Sequence, residues 1–394
     1  MSERELRNAL RRAGEDRDPA ARERAWRVVR AAYSDYEPRR RRLRWARPAT
    51  LAAVLAVLAG GAVAAAATTR GGLGRVVHDV LGIGEPHARP ALVRVPGGGR
   101  LLVQEGRSSW VVAGDGSRRR LGRYDGASWS PRGLFVVAWR GRVLTAVEPS
   151  GQPRWSLSRP DPIDVARWSP GDGFRIAYLS GGSLRVVNGD GTGDHRYSGA
   201  TRVAPAWRPG ARHVLAYLDA RRRVQVTAVD THRRLWRSSP IAHPVALAWS
   251  TGGGRLLVLK RNRAVVYDAA GRHVASQEIA GVRSAAWSPR APEVALVRTD
   301  AAVGTSSLVL LDPAHPPKAR TLFSGPGTFG APAWAPDGRS VLLPWPDAGQ
   351  WLFLRTRGSR RTTAVANIAR QFSSGTSAPR FPDEVAWCCG RAQP

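Results

Sequence analysis

Acidic residues are scarce in this chain: 30 Asp and Glu stand against 61 Lys and Arg over 394 residues, a net charge of +31, and nearly all the cations are arginine. Such an imbalance invites a polyanionic partner. The arginines are nevertheless spread along the whole chain rather than gathered on one helix or stripe, and no nucleic-acid motif accompanies them, so nucleic acid is set aside as a partner. A basic surface resting near anionic lipid or an acidic wall polymer accounts better for the charge.

Catalytic signatures are missing as well. There is no G-x-S-x-G nucleophile turn, which excludes a peptidase with a serine-hydrolase domain. There is no Gly-rich phosphate loop ending in Lys-Ser or Lys-Thr. The eight histidines, His78, His87, His195, His213, His232, His243, His273 and His315, never form a metal-ligand pair on one element, and they read as loop and edge-strand residues. No catalytic residue, cofactor site or metal site is therefore assigned. The two cysteines, Cys388 and Cys389, are adjacent: they form a bridge with each other, a bridge with another chain, or two free thiols.

What the chain does have is a repeat. The segment ASWSPRGLFVVAW from Ala127 returns as ARWSPGDGFRIAY, PAWRPGARHVLAY, LAWSTGGGRLLVL, AAWSPRAPEVALV and PAWAPDGRSVLLP. Its tryptophans, Trp129, Trp168, Trp207, Trp249, Trp287 and Trp334, are 39, 39, 42, 38 and 47 residues apart. After each comes an apolar run of strand length, such as Leu134 to Ala138 or Val214 to Leu218, and about eight residues later a second run, such as Val143 to Val147. Turn formers follow, Asn188-Gly189-Asp190-Gly191 for example, and then a more polar strand, as at Arg154 to Leu157 and Arg233 to Trp236. Four short antiparallel strands on a period near forty make one blade of a β-propeller.

The recurring indole has a structural use: on an inner strand it wedges between twisted sheets that otherwise pack imperfectly. A weaker copy runs from Val93 to Val103, with Val95 at the tryptophan position, and Glu384 to Cys388 supplies a further Trp strand, at Trp387, with no blade after it. A circular array must hide its last edge. The expectation is an all-β, seven-bladed propeller over 91–390, closed by the strand near Trp387 against the N-terminal repeat, with six or eight blades as alternatives.

The W-S-P-x-G-x-x-[IV]-A motif resembles the repeat of TolB-type periplasmic propellers, relatives of the WD-type repeat, and spans about three quarters of the chain. The Pro-Asp-Gly of that pattern is intact only at Pro336-Asp337-Gly338, and Thr251 replaces Pro after Trp249. The resemblance implies a fold shared by scaffolds, receptors and enzymes alike.

Three segments precede the ring. Residues 1–47 form a basic tail in which Leu6, Ala9, Leu10 and Ala13 share one helical face, and Trp26, Val29, Tyr33 and Tyr36 another. Residues 48–69, PATLAAVLAVLAGGAVAAAATT, are free of charge and long enough to span the ~30 Å hydrocarbon core as a transmembrane helix. Arg39, Arg40, Arg41, Arg42, Arg44 and Arg47 stand before this span, against Arg70 and Arg75 after it, which puts the tail in the cytoplasm and the propeller outside. The rival is a signal peptide cleaved after Ala62-Val63-Ala64, although the region before it is long for one. Residues 70–90 are a juxtamembrane segment and linker.

The leading functional expectation is a non-enzymatic, membrane-anchored scaffold whose extracytoplasmic propeller binds a protein or a small ligand. One alternative is an anti-sigma-like regulator with a cytoplasmic partner for 1–47, a resemblance of layout that lacks the usual zinc ligands because no His or Cys precedes His78. The other is a propeller lyase or hydrolase with a site at the channel mouth; carboxylates near the inner strands, such as Asp125 or Asp164, are single and unpaired in sequence, so no catalytic couple is identified. Asn188 to Asp194 places oxygen ligands on alternate residues as calcium loops do, but lacks the later bidentate Glu.

Overall fold

The computed structural model describes residues 91–171, 173–313, 319–358, 362–372 and 378–389. The tail, the apolar span and the linker predicted over 1–90 lie outside the described residues. Among those described, no helix is long and apolar enough to cross a membrane.

The described residues form seven four-stranded antiparallel sheets, one per blade. Blade 1 shows the plan: Gly126–Trp129 innermost, then Val136–Arg140, Val143–Val147 and, outermost, Pro153–Ser158. The inner strands of blades 2 to 6 end on Trp168, Trp207, Trp249, Trp287 and Trp334, the residues that mark the repeat. In blade 1 the strand after the Trp starts later than the apolar run implied, since Leu134 lies in the loop and is 55% exposed. Strands two and three are apolar on both sides because each sheet is covered by a blade on either face, whereas the outer strands alternate exposed and half-buried residues.

Blade 7 is assembled from both ends of the described chain. Its three outer strands are Arg100–Glu105, Ser108–Val112 and Arg118–Arg123, and its inner strand is Glu384–Cys388. The closing pairs include Leu101 with Trp387 and Val103 with Val385. This corrects the place given to Val95. Val95 is in no strand; it is fully buried and its N–H donates to the carbonyl of Gly114. The tryptophan missing from the first copy is Trp387, nearly three hundred residues on, so the weak first copy and the orphan last strand are one blade.

The core lies in the seams between blades rather than at the centre. Each apolar cluster combines side chains of neighbouring sheets, such as Val226, Leu256 and Val258 for blades 3 and 4. Three of the motif tryptophans tie these seams together: Trp207, Trp287 and Trp334 each donate, at 2.9 Å, to the carbonyl of the residue just before the preceding blade's tryptophan, at Arg167, Ala248 and Ala286, whereas the indole N–H groups of Trp129, Trp168 and Trp249 are buried without a partner. They act as packing and tethering groups.

Candidate functional site

The inner strands place one residue of each blade immediately before its tryptophan: Ser128, Arg167, Ala206, Ala248, Ala286, Ala333 and Ala386. Six are small, and Arg167 alone is charged. Its Nη1 donates to the carbonyl of Ala166 at 3.0 Å. Burial lowers its guanidinium below the ordinary value, and the carboxylate of Glu384 on the inner strand of blade 7 partly opposes that shift. A cation so placed, with an acid reaching it from two blades away, gives the inner wall its own polarity.

The two carboxylates singled out from the sequence, Asp125 and Asp164, do not form a catalytic couple. Asp125 accepts from Arg107 Nε at 2.9 Å and from the backbone N–H of Gly141 at 2.6 Å, so it fastens the turn of blade 1 to blade 7. Asp164 faces Arg202 at 4.0 Å. Among the described residues, no group of three or more His, Cys, Asp or Glu side chains could hold a metal ion. In the Asn188 to Asp194 loop, Asp190 accepts from the backbone and hydroxyl of Thr192, and Asn188 donates to the same hydroxyl. Asp194 turns inward to two arginines. Asp190 Oδ1 and the Asn188 amide are thus engaged within the loop, and Asp194 is engaged elsewhere.

Sequence reasoning missed that inward cluster. Asp194 accepts from Arg159 of the preceding blade at 2.8 Å, from Arg185 at 2.7 Å and from the Tyr178 hydroxyl at 2.5 Å, while Arg185 Nε also donates to that hydroxyl at 3.0 Å. Burial, and then the bond to Asp194, push the Tyr178 phenol well above its ordinary value. The bond to Asp194 raises the Arg185 guanidinium in turn. His213, read as a loop residue, is 2% exposed: Nδ1 lies 2.5 Å from Asp230, and Nε2 is buried without a partner against the backbone of Gly173. Cys388 and Cys389 are joined as a vicinal disulfide at the end of the closing strand.

On the outer rim, aromatic side chains bridge consecutive blades. Trp155 and Trp236, on the outer strands of blades 1 and 3, donate to the carbonyls of Gly189 and Ala269 in the third turn of the next blade. Each indole lies on a glycine of that turn. A Cβ at Gly191 would meet Trp155 at 2.8 Å, and one at Gly271 would meet Trp236 at 2.6 Å. Tyr197 stacks on His232 between blades 2 and 3, Phe323 meets Trp345 edge-on between 5 and 6, and Phe372 meets Trp110 edge-on and Trp351 at a tilt between 7 and 6. Tyr124 packs between blades 7 and 1, beside a broad depression of about 460 Å3 walled by Arg123 and Arg140.

The face opposite the tryptophan loops carries unpaired cations on two adjacent turns, Ala220-Arg221-Arg222 and Arg261-Asn262. All three arginines are exposed. The nearby acids are engaged: Asp219 accepts from the backbone of Arg221 and Arg223 and from Gln225, and Glu278 pairs with Arg263. Arg222 holds a left-handed backbone (φ 58°) at the last turn position, where blades 5 and 6 have Gly304 and Gly349 (both φ 66°). A non-glycine residue there is disfavoured.

No protein-family model matches the sequence, and no curated protein matches it. Among solved structures the chain is similar to a chain of the mitotic checkpoint complex, at 17% identity and a TM-score of 0.55 over 68% of this chain and 90% of that one. It is also similar to Saccharomyces cerevisiae Sqt1, at 12% identity and a TM-score of 0.53 over 71% of this chain and 83% of that one. At such identities the likeness is one of fold, and it supports a seven-bladed propeller of WD-like repeats. The narrower likeness to TolB-type propellers rests on the repeat motif alone.

Proposed function

We propose that the chain is a non-enzymatic scaffold that docks an acidic protein surface on the face carrying Arg221, Arg222 and Arg261. One observation carries this reading: cations without acidic partners stand on adjacent turns of a rigid ring, one of them at a strained position that glycine fills in other blades. Exposed charge of this kind steers association and selects partners more than it stabilises a fold.

The scaffold is held by the uncharged span 48–69, with the arginine-rich tail in the cytoplasm and the propeller outside. Support comes from the span's length and from the arginines ahead of it. Site-directed cysteine labelling in intact cells is expected to modify a cysteine placed at Arg221 and to spare one placed in the tail; the reverse pattern refutes the topology. For docking, the full-length chain carrying R221E, R222E and R261E is expected to lose at least tenfold in capture of partner protein from solubilised membranes while unfolding at an unchanged temperature. Unchanged capture by that variant refutes the assigned face.

A further inference from the structure

The seam between blades 4 and 5 is, among the described residues, the only one without an outer aromatic bridge. Register identifies the missing group. Trp155 pairs with Ala146, Trp236 with Val226, and at the same place, two residues past the bulge, Ala275 pairs with Val266. The residues facing that position match as well. Val258, Val265 and Tyr267 of blade 4 underlie Trp236, and their counterparts in blade 5 are Leu296, Val309 and Leu311.

Two residues beyond this alanine, from Gln277 onward, the same outer strand lines a cleft of about 210 Å3. Its walls include Leu296, Val309 and Leu311 on one side and Gln277 and Ile279 on the other, with Arg298 also lining it. Gln277 Oε1 is buried and has no hydrogen-bond partner. In the two filled seams the indole N–H satisfies a carbonyl. Here the acceptor is not the next blade's turn carbonyl but the Gln277 side chain, on the outer strand of blade 4 itself, and no ring reaches it. An apolar cavity of ~150 Å3 is enough to take up benzene, and a buried acceptor without a donor costs ~1–3 kcal/mol.

We infer that the cleft between blades 4 and 5 binds a free planar aromatic molecule of indole size, bearing one N–H or O–H that donates to Gln277. The outer seams supply the argument for the occupant, since the same fold closes two of them with an indole that donates one hydrogen bond. The volume accommodates a fused bicyclic ring system.

The test uses the full-length chain with indole, and with indene as the isostere that lacks the N–H, followed by calorimetry or by the rise in unfolding temperature. Saturable indole binding is expected, with a dissociation constant on the order of 0.1–1 mM and about fivefold tighter than indene. Ala275→Trp closes the cleft from within; it is expected to unfold at a higher temperature and to lose indole binding at least tenfold. Gln277→Leu keeps the apolar space and is expected to bind indole and indene equally. Absence of saturable indole binding to the unmodified chain overturns the inference, as does undiminished binding to a folded Ala275→Trp variant. If that variant fails to fold, retention of the indole preference in Gln277→Leu overturns it instead.

Discussion

Two seams of one ring, between blades 3 and 4 and between blades 4 and 5, have nearly the same apolar floor and differ in one wedge. In the first, Trp236 covers Val265 and Tyr267 and hydrogen-bonds to Ala269. In the second, Ala275 at that register brings no ring, and the seam keeps a cleft whose lining includes Val309 and Leu311. The comparison teaches that the inner tryptophans and the second and third strands suffice to build the ring, and that the outer position is where a blade either locks to its neighbour or admits something else. The seam between blades 1 and 2 is the extreme case, because it has the indole of Trp155 and also the buried contact of Arg159 with Asp194.

The comparison can be broken most severely at that doubly fastened seam. Asp194→Asn leaves Arg159 and Arg185 facing a neutral group in a largely buried site, so a loss of about 3 kcal/mol is expected in denaturant unfolding. A loss below ~1 kcal/mol would put the strength of the seam elsewhere. Next comes Trp236→Ala, expected to cost about 2–4 kcal/mol and to open a second cleft. Ala275→Trp makes the opposite change and is expected to add about 0.5–2 kcal/mol; if it destabilises instead, the cleft is not shaped like its neighbours.

The smallest expected effect is one of pH. The folded state raises the Tyr178 phenol above its ordinary value, chiefly through burial, so the folded chain holds that proton where the unfolded chain, titrating near pH 10, releases it. Its contribution is complete below about pH 10 and declines as the pH rises above that value. Buried Tyr197, Tyr217, Tyr267 and Tyr124 shift in the same direction. Stability should therefore fall on the alkaline side, and Tyr178→Phe should make that fall shallower. A slope unchanged by the substitution would show that another group controls it.

The blades were legible in the sequence because one large residue recurs at the end of each inner strand, and because the turns carry Gly, Pro and Asn at fixed offsets. The closure was legible from the orphan strand at Trp387. The first copy was legible only in part, since its inner strand comes from the other end of the chain, and Val95 fell into the vacant slot of the template. The Asp194 cluster escaped notice because Arg159 meets it across a seam, from a neighbouring repeat. The cleft was present in the sequence as a contrast of outer strands, PRWSL and RRLWR against RHVAS, where Trp155 and Trp236 give way to Ala275. An absence at one register position becomes visible only once the bulges fix which outer-strand residue faces the next blade.

The closure of the ring is tested most directly by hydrogen exchange of the backbone amides of the full-length chain. If Glu384–Cys388 is the inner strand of the blade begun by Arg100–Glu105, both segments exchange slowly and at the same rate, together with the central strands of the other blades. Rapid exchange of Glu384–Cys388 beside a protected Arg100–Glu105 would contradict the closed seven-bladed ring.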